Sequence, residues 1–75
     1  MENRIRDIRK RQKITQKEIA EKVKVTRQYV SLLEKSEIEP SLRVAQGIAE
    51  SLGCCLYYVF DIDGTGRYEC SYCKV

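Results

Sequence analysis

The chain has 75 residues, a third of them charged, with one Pro, no His and four Cys, which allows one small domain of modest core and excludes a low-complexity or disordered polymer. No run approaches the roughly 18 apolar residues of a membrane helix, and Met1-Glu2-Asn3-Arg4 lacks the apolar stretch of a signal peptide, so a cytoplasmic protein is expected. The net charge of +3 is unevenly spread: residues 1–35 hold eleven Lys/Arg against five Asp/Glu, giving +6, whereas residues 36–75 hold three against six, giving −3.

Met1, Ile5 and Ile8 recur at helical spacing among charged residues and predict a first amphipathic helix over residues 3–12, with Ile14 packing its exit. Thr15-Gln16-Lys17-Glu18 is a capping box, opening a second helix whose inner face is Ile19, Ala20 and Val23. Thr26 is another N-cap candidate, followed by Val30 and Leu33 at helical spacing, so the second helix ends near Val23 and a third begins after Thr26. Residues 36–40 read as a loop. Ser41 then caps a fourth helix with the apolar stripe Ala45, Ile48, Ala49 and Leu52, and Gly53 ends it. A short fifth helix over residues 56–59 follows. Beyond it, Phe60-Asp61-Ile62 and Tyr68-Glu69-Cys70-Ser71-Tyr72 flank Asp63-Gly64-Thr65-Gly66 and predict a β-hairpin. The expected fold is all-α, four to five short helices over residues 1–60, with a short C-terminal β-hairpin in a tail over residues 61–75.

Helix, tight turn and helix over residues 15–34 form a helix-turn-helix pattern. Through Ile5, Ile8-Arg9, Ile14-Thr15-Gln16, Glu18-Ile19-Ala20, Val23, Val25-Thr26, Val30, Leu33-Glu34, Pro40-Ser41-Leu42, Ile48-Ala49, Leu52-Gly53, Leu56 and Phe60, the chain resembles the Cro/cI (XRE-like) family over about residues 3–60. The resemblance implies a homodimer that binds double-stranded DNA at a palindromic operator and represses by blocking polymerase, although the same docking beside a promoter serves activation.

With Val30 and Leu33 facing inward, a step of about 100° per residue turns Gln28, Ser31 and Leu32 outward, and Arg27 projects from the first turn. The resemblance carries base contact to Thr26, Arg27, Gln28 and Leu32. Gln28 suits adenine and Arg27 suits guanine, each in a bidentate pair. Leu32 suits a thymine methyl, or else packs against the body or a partner. By the same resemblance Gln16 meets phosphate, with Tyr29, Lys35 and Arg43 as weaker candidates, and Arg9 and Glu34 form a scaffold ion pair. Lys10, Arg11 and Lys13 read as a solvated face that adds long-range attraction. Lys24 stands where relatives often carry Gly, and a left-handed Lys costs roughly 1 kcal/mol.

Tyr57, Tyr58, Ile62, Tyr68 and Tyr72 are expected to build the dimer interface, the alternative being a hairpin that folds back over the fifth helix. Cys54 occupies a core position, Cys55 replaces a Ser cap, and Cys70 and Cys73 form a C-x-x-C. Structural thiols, a redox-responsive pair and a four-thiolate zinc site all stay open, with zinc disfavoured because adjacent Cys54-Cys55 is a poor knuckle. No cofactor is expected. The chain lacks His, a Gly-rich phosphate loop and the βαβ setting of a thiol oxidoreductase, so an enzyme is not expected. The other functional class is an interaction protein on the same scaffold, such as an antitoxin whose tail holds a protein partner.

Overall fold

The computed structural model describes residues 1–69. Among them the chain forms α1 (Ile5–Arg11), α2 (Gln16–Val23), α3 (Arg27–Glu34), α4 (Leu42–Ser51) and α5 (Leu56–Val59). Three of these begin as the sequence dictates. The hydroxyls of Thr15, Thr26 and Ser41 accept from the amides of Glu18, Tyr29 and Val44, and Glu18 returns a bond to the Thr15 amide, completing the capping box.

The ends of α1 to α4 are closed by left-handed residues, and only one of them is glycine. After α4, Gly53 at φ 68° lets the Cys54 amide reach Ala49 O at 2.9 Å and its own amide reach Glu50 O. Lys13, Lys24 and Ser36 take the same conformation after α1, α2 and α3. The amides of Ile14, Val25 and Glu37 then bond back to Arg9, Ala20 and Leu32 carbonyls. Each non-glycine residue there carries a strain of roughly 1–2 kcal/mol.

The apolar stripes converge on one core, in which Ile5, Ile8, Ile19, Val23, Val30, Leu33, Val44, Ile48, Leu52, Val59 and Phe60 are at most 6% exposed. Burying each large aliphatic or aromatic side chain contributes roughly 1.5–3 kcal/mol, which is what holds helices too short to be stable alone. Gly47 lets α4 approach α2 closely: a Cβ there would stand 3.3 Å from Val23 Cγ1.

Two expectations change. The first helix is shorter than residues 3–12, and Met1 leaves its predicted stripe to stand 39% exposed. The reason is a tertiary one. Asn3 pairs with Phe60 in an antiparallel bridge, the Arg4 amide donates to Val59 O at 2.7 Å, and the Asp61 amide donates to Glu2 O at 2.9 Å. The N-terminal residues are thereby held extended against the segment after α5. The second change concerns the hairpin. Among the described residues there is no second strand beside residues 60–62, because Phe60 spends its backbone pairing on Asn3 and its side chain on the core. Residues 63–66 do turn, with the Asp63 carboxylate accepting from the Thr65 amide and hydroxyl and the Asp61 carboxylate accepting from the Gly66 amide. Those Thr65 contacts hold the Asp63 carboxyl below its ordinary range. The Cys70-Ser71-Tyr72 part of the predicted strand lies outside the described residues.

Candidate nucleic-acid interface

The α2–turn–α3 unit is locked from both ends. Lys24, at φ 63° and ψ 47°, reverses the chain within one residue, so α3 starts immediately after Val25 and Thr26. Its inner face, Val30 and Leu33, is fully buried, and its outer face presents Thr26, Arg27, Gln28, Leu32 and Lys35 to solvent, with Ser31 half-buried between them. Leu32 is 38% exposed and so is not part of the body's core, which leaves contact with a base or with a partner.

Beside this face lies a groove of about 610 Å3, lined by Arg6, Arg9 and Lys10 of α1, Thr15, Gln16 and Lys17 at the start of α2, and Arg27, Ser31, Glu34 and Lys35 at α3. Six of those side chains are cationic and one is acidic. The acid is not free to repel an anion, because Glu34 is fully engaged. Its Oε2 accepts from Arg9 Nε at 2.9 Å, and its Oε1 accepts from Arg9 NH2 at 3.3 Å and from Gln16 Nε2 at 3.0 Å. Arg9 also donates to Ile14 O at 3.2 Å, so one guanidinium ties α1, the α1–α2 loop and α3 together. Both side chains of the pair are largely buried, 13% and 6% exposed.

Of the residues singled out from sequence, Gln16, Arg27, Lys35, Arg9 and Glu34 share this groove. Thr26, Gln28 and Leu32 stand on the adjoining outer face of α3. Tyr29 is half-buried against the core, and Arg43 is exposed in the first turn of α4, outside the groove. Sequence reasoning missed Arg6 and Lys17 and set Lys10 aside as solvated. The signal was present: Arg6, Arg9 and Lys10 stand at i, i+3 and i+4 and therefore share one face of α1.

The tyrosines divide. Tyr57, Tyr58 and Ile62 are 37%, 39% and 39% exposed. Tyr58 and Tyr68 also meet Arg4, their rings lying 4.1 and 4.3 Å from its guanidinium, which donates twice to Tyr58 O. Burial raises the Tyr68 phenol pKa. Tyr72 lies outside the described residues, as do Cys70 and Cys73. Cys54 fills the expected core-side position, half-buried with Sγ donating to Leu52 O at 3.4 Å, whereas Cys55 sits at the N-cap of α5 without making a cap bond. Among the described residues neither forms a disulfide, and no three His, Cys, Asp or Glu are grouped to hold a metal ion. No helix among those residues is long and apolar enough to cross a membrane.

A helix-turn-helix family model matches residues 5–58, the span from α1 through most of α5. An HTH-type transcriptional regulator of Methanothermobacter thermautotrophicus is 49% identical over 53 residues, covering 71% of this chain and 77% of that protein. A second such regulator, from Archaeoglobus fulgidus, is 40% identical over 63 residues, covering 84% of this chain and 90% of its own. The immunity repressor protein of Bacillus phage phi105 is 40% identical over 50 residues, which is 67% of this chain but only 35% of the repressor. With the family model matching residues 5–58 and regulators of this kind up to 49% identical, this chain belongs to the helix-turn-helix transcriptional regulators of the Cro/cI (XRE-like) type.

Proposed function

We propose that the chain is a sequence-specific DNA-binding repressor that inserts α3 into the major groove and acts as a two-fold dimer on a palindromic operator. One observation carries this reading: six cations line a groove contiguous with the exposed face of α3, and the one acid among them is committed to Arg9 and Gln16. A major groove about 12 Å wide admits a helix, and clustered cations beside it neutralise phosphates of the flanking backbone.

In this reading Arg27 and Gln28 contact base edges, with Thr26 at the start of the helix and Leu32 one turn after Gln28. Gln16 meets phosphate at the N-terminal end of α2, where the backbone dipole favours an anion, and Lys35, Tyr29 and Arg43 contact the same backbone. Arg6, Lys10 and Lys17 extend the phosphate track beyond those residues. Arg9 and Glu34 hold the scaffold. The function is binding, not catalysis. Dimerisation comes from the exposed Tyr57, Tyr58 and Ile62 with the tail over residues 61–75, Arg4 packing on the rings of Tyr58 and Tyr68. The name of the phage relative supports repression as the sense of regulation.

Selection of bound duplexes from random DNA by the full chain, followed by salt titration on the winner, tests the reading. An inverted repeat with half-sites about 10 bp apart and a steep salt slope is the expected result. Recovery of no preferred sequence overturns it and favours an interaction protein on this scaffold.

A further inference from the structure

We infer that Asn3, with Arg4 beside it, is a positioning residue that sets the spacing between the two half-sites of the operator, by joining the end of α3 to the tail on which the dimer is built. This rests on the two-fold DNA-binding reading above. The Asn3 backbone is bridged to Phe60, with the Arg4 amide on Val59 O at 2.7 Å and the Asp61 amide on Glu2 O at 2.9 Å. Its side chain serves a different element. Nδ2 donates to Leu33 O, in the last turn of α3, at 2.6 Å, while Oδ1 accepts from the Ile5 amide at 3.2 Å.

The tail is fastened to the same short segment. Among the described residues, every hydrogen bond and cation–π contact between residues 61–69 and the rest of the chain ends on Glu2 or Arg4. Arg4 donates through Nε and Nη2 to Tyr58 O at 3.1 and 2.9 Å, and its guanidinium lies 4.3 Å from the Tyr68 ring. The hydrogen-bonded path from the tail to α3 therefore runs through residues 2–4. A two-fold dimer places both α3 helices on DNA only when the tail fixes the distance and the twist between them. One base pair more or less shifts the second half-site by about 3.4 Å and turns it by about 35°. Following that shift requires α3 to swing relative to the tail, which breaks the Asn3 bond to Leu33 in each protomer. A neutral hydrogen bond is worth about fivefold, so the two in a dimer resist the swing by about 25-fold. Asn3 has no part in the cationic groove, and both ends of its amide are committed within the chain.

The test uses the full chain and the selected operator, rebuilt with one base pair inserted or deleted between its half-sites, and reads Kd by fluorescence anisotropy. In wild type the altered spacing should weaken binding about 100-fold, because one of two linked contacts is lost. Asn3→Ser keeps an oxygen for the Ile5 amide but is too short to reach Leu33 O, which retains the Ser36 amide at 3.0 Å, so the fold survives. Its spacing penalty should shrink by up to about 25-fold, to roughly fourfold, with base preference within each half-site unchanged. Arg4→Lys keeps the charge but loses the planar fork and the ring stacking, and should relax the spacing in the same way. A residue that served only stability would, when replaced, weaken binding at every spacing alike. Sedimentation should find both variants dimeric at the concentrations where wild type is dimeric. A spacing penalty as sharp as wild type's in either variant, or a variant that sediments as a monomer, overturns the inference and leaves the dimeric reading standing. A wild type that binds every spacing equally overturns the dimeric reading as well.

Discussion

Glu34→Ala should cost about 3 kcal/mol of stability, although the residue lies near the end of α3 and its loss opens no apolar cavity. The Glu34 carboxylate accepts three hydrogen bonds, two from the Arg9 guanidinium and one from Gln16. Removing it leaves the guanidinium, whose side chain is 13% exposed, with only its bond to Ile14 O. Gln16 lies at a half-buried helix start and can turn to water, so the expense falls on Arg9. Stranding one member of a mostly buried pair costs about 3 kcal/mol. A domain of this size melts about 4–8 °C lower per kcal/mol, so thermal unfolding followed by circular dichroism should show a drop of about 12–24 °C. The double variant Arg9→Met with Glu34→Leu removes both charges at similar volume and should return to within about 1 kcal/mol of wild type. If Glu34→Ala melts within about 4 °C of wild type, the pair has only the strength of an exposed ion pair, and its assignment as the tie between α1 and α3 is wrong.

Other outcomes follow from the same geometry. Lys24→Gly should raise stability by about 0.5 kcal/mol, because relief of the left-handed strain exceeds the extra backbone entropy of glycine; urea denaturation reads this directly. Arg6→Gln and Lys10→Gln should each weaken binding to every DNA sequence alike and reduce the salt slope by about 1, whereas Gln28→Ala should relax preference at one base pair. The bond to Glu39 raises the Met1 ammonium pKa above its ordinary value of 8.0. Its small stabilising effect is thus complete below pH 8.0 and fades as pH rises through the raised value, and Glu39→Gln should abolish that alkaline decline in melting temperature. Truncation after Asp61 should yield monomers in analytical ultracentrifugation, and a truncated chain that remains dimeric would place the interface elsewhere.

Much of the fold was legible because it is written in local chemistry. Thr15 with Glu18, Thr26, and Ser41 announce helix starts through side-chain groups three residues or fewer from the amides they cap, and the apolar stripes of α2, α3 and α4 set which faces turn inward. The outward face of α3 follows from that periodicity alone. Chain ends resisted the same treatment, since Met1 has the spacing of a helix stripe but Asn3 and Arg4 find their partners in Val59 and Phe60, more than fifty residues away.

The sequence by itself determined the helix-turn-helix, its caps and the face of α3 turned to solvent, because each depends on residues within one or two turns of one another. Only the tertiary structure decided that Arg6, Lys10 and Lys17 join Arg27 and Lys35 around one groove. It also decided that Gln16 shares the Glu34 carboxylate with Arg9, and that the Arg4 guanidinium packs on the rings of Tyr58 and Tyr68. These groupings join residues from different helices, and the physical reason they escape a reading of sequence is that long charged and aromatic side chains have no periodicity of their own. Their partners are chosen by how the buried stripes dock.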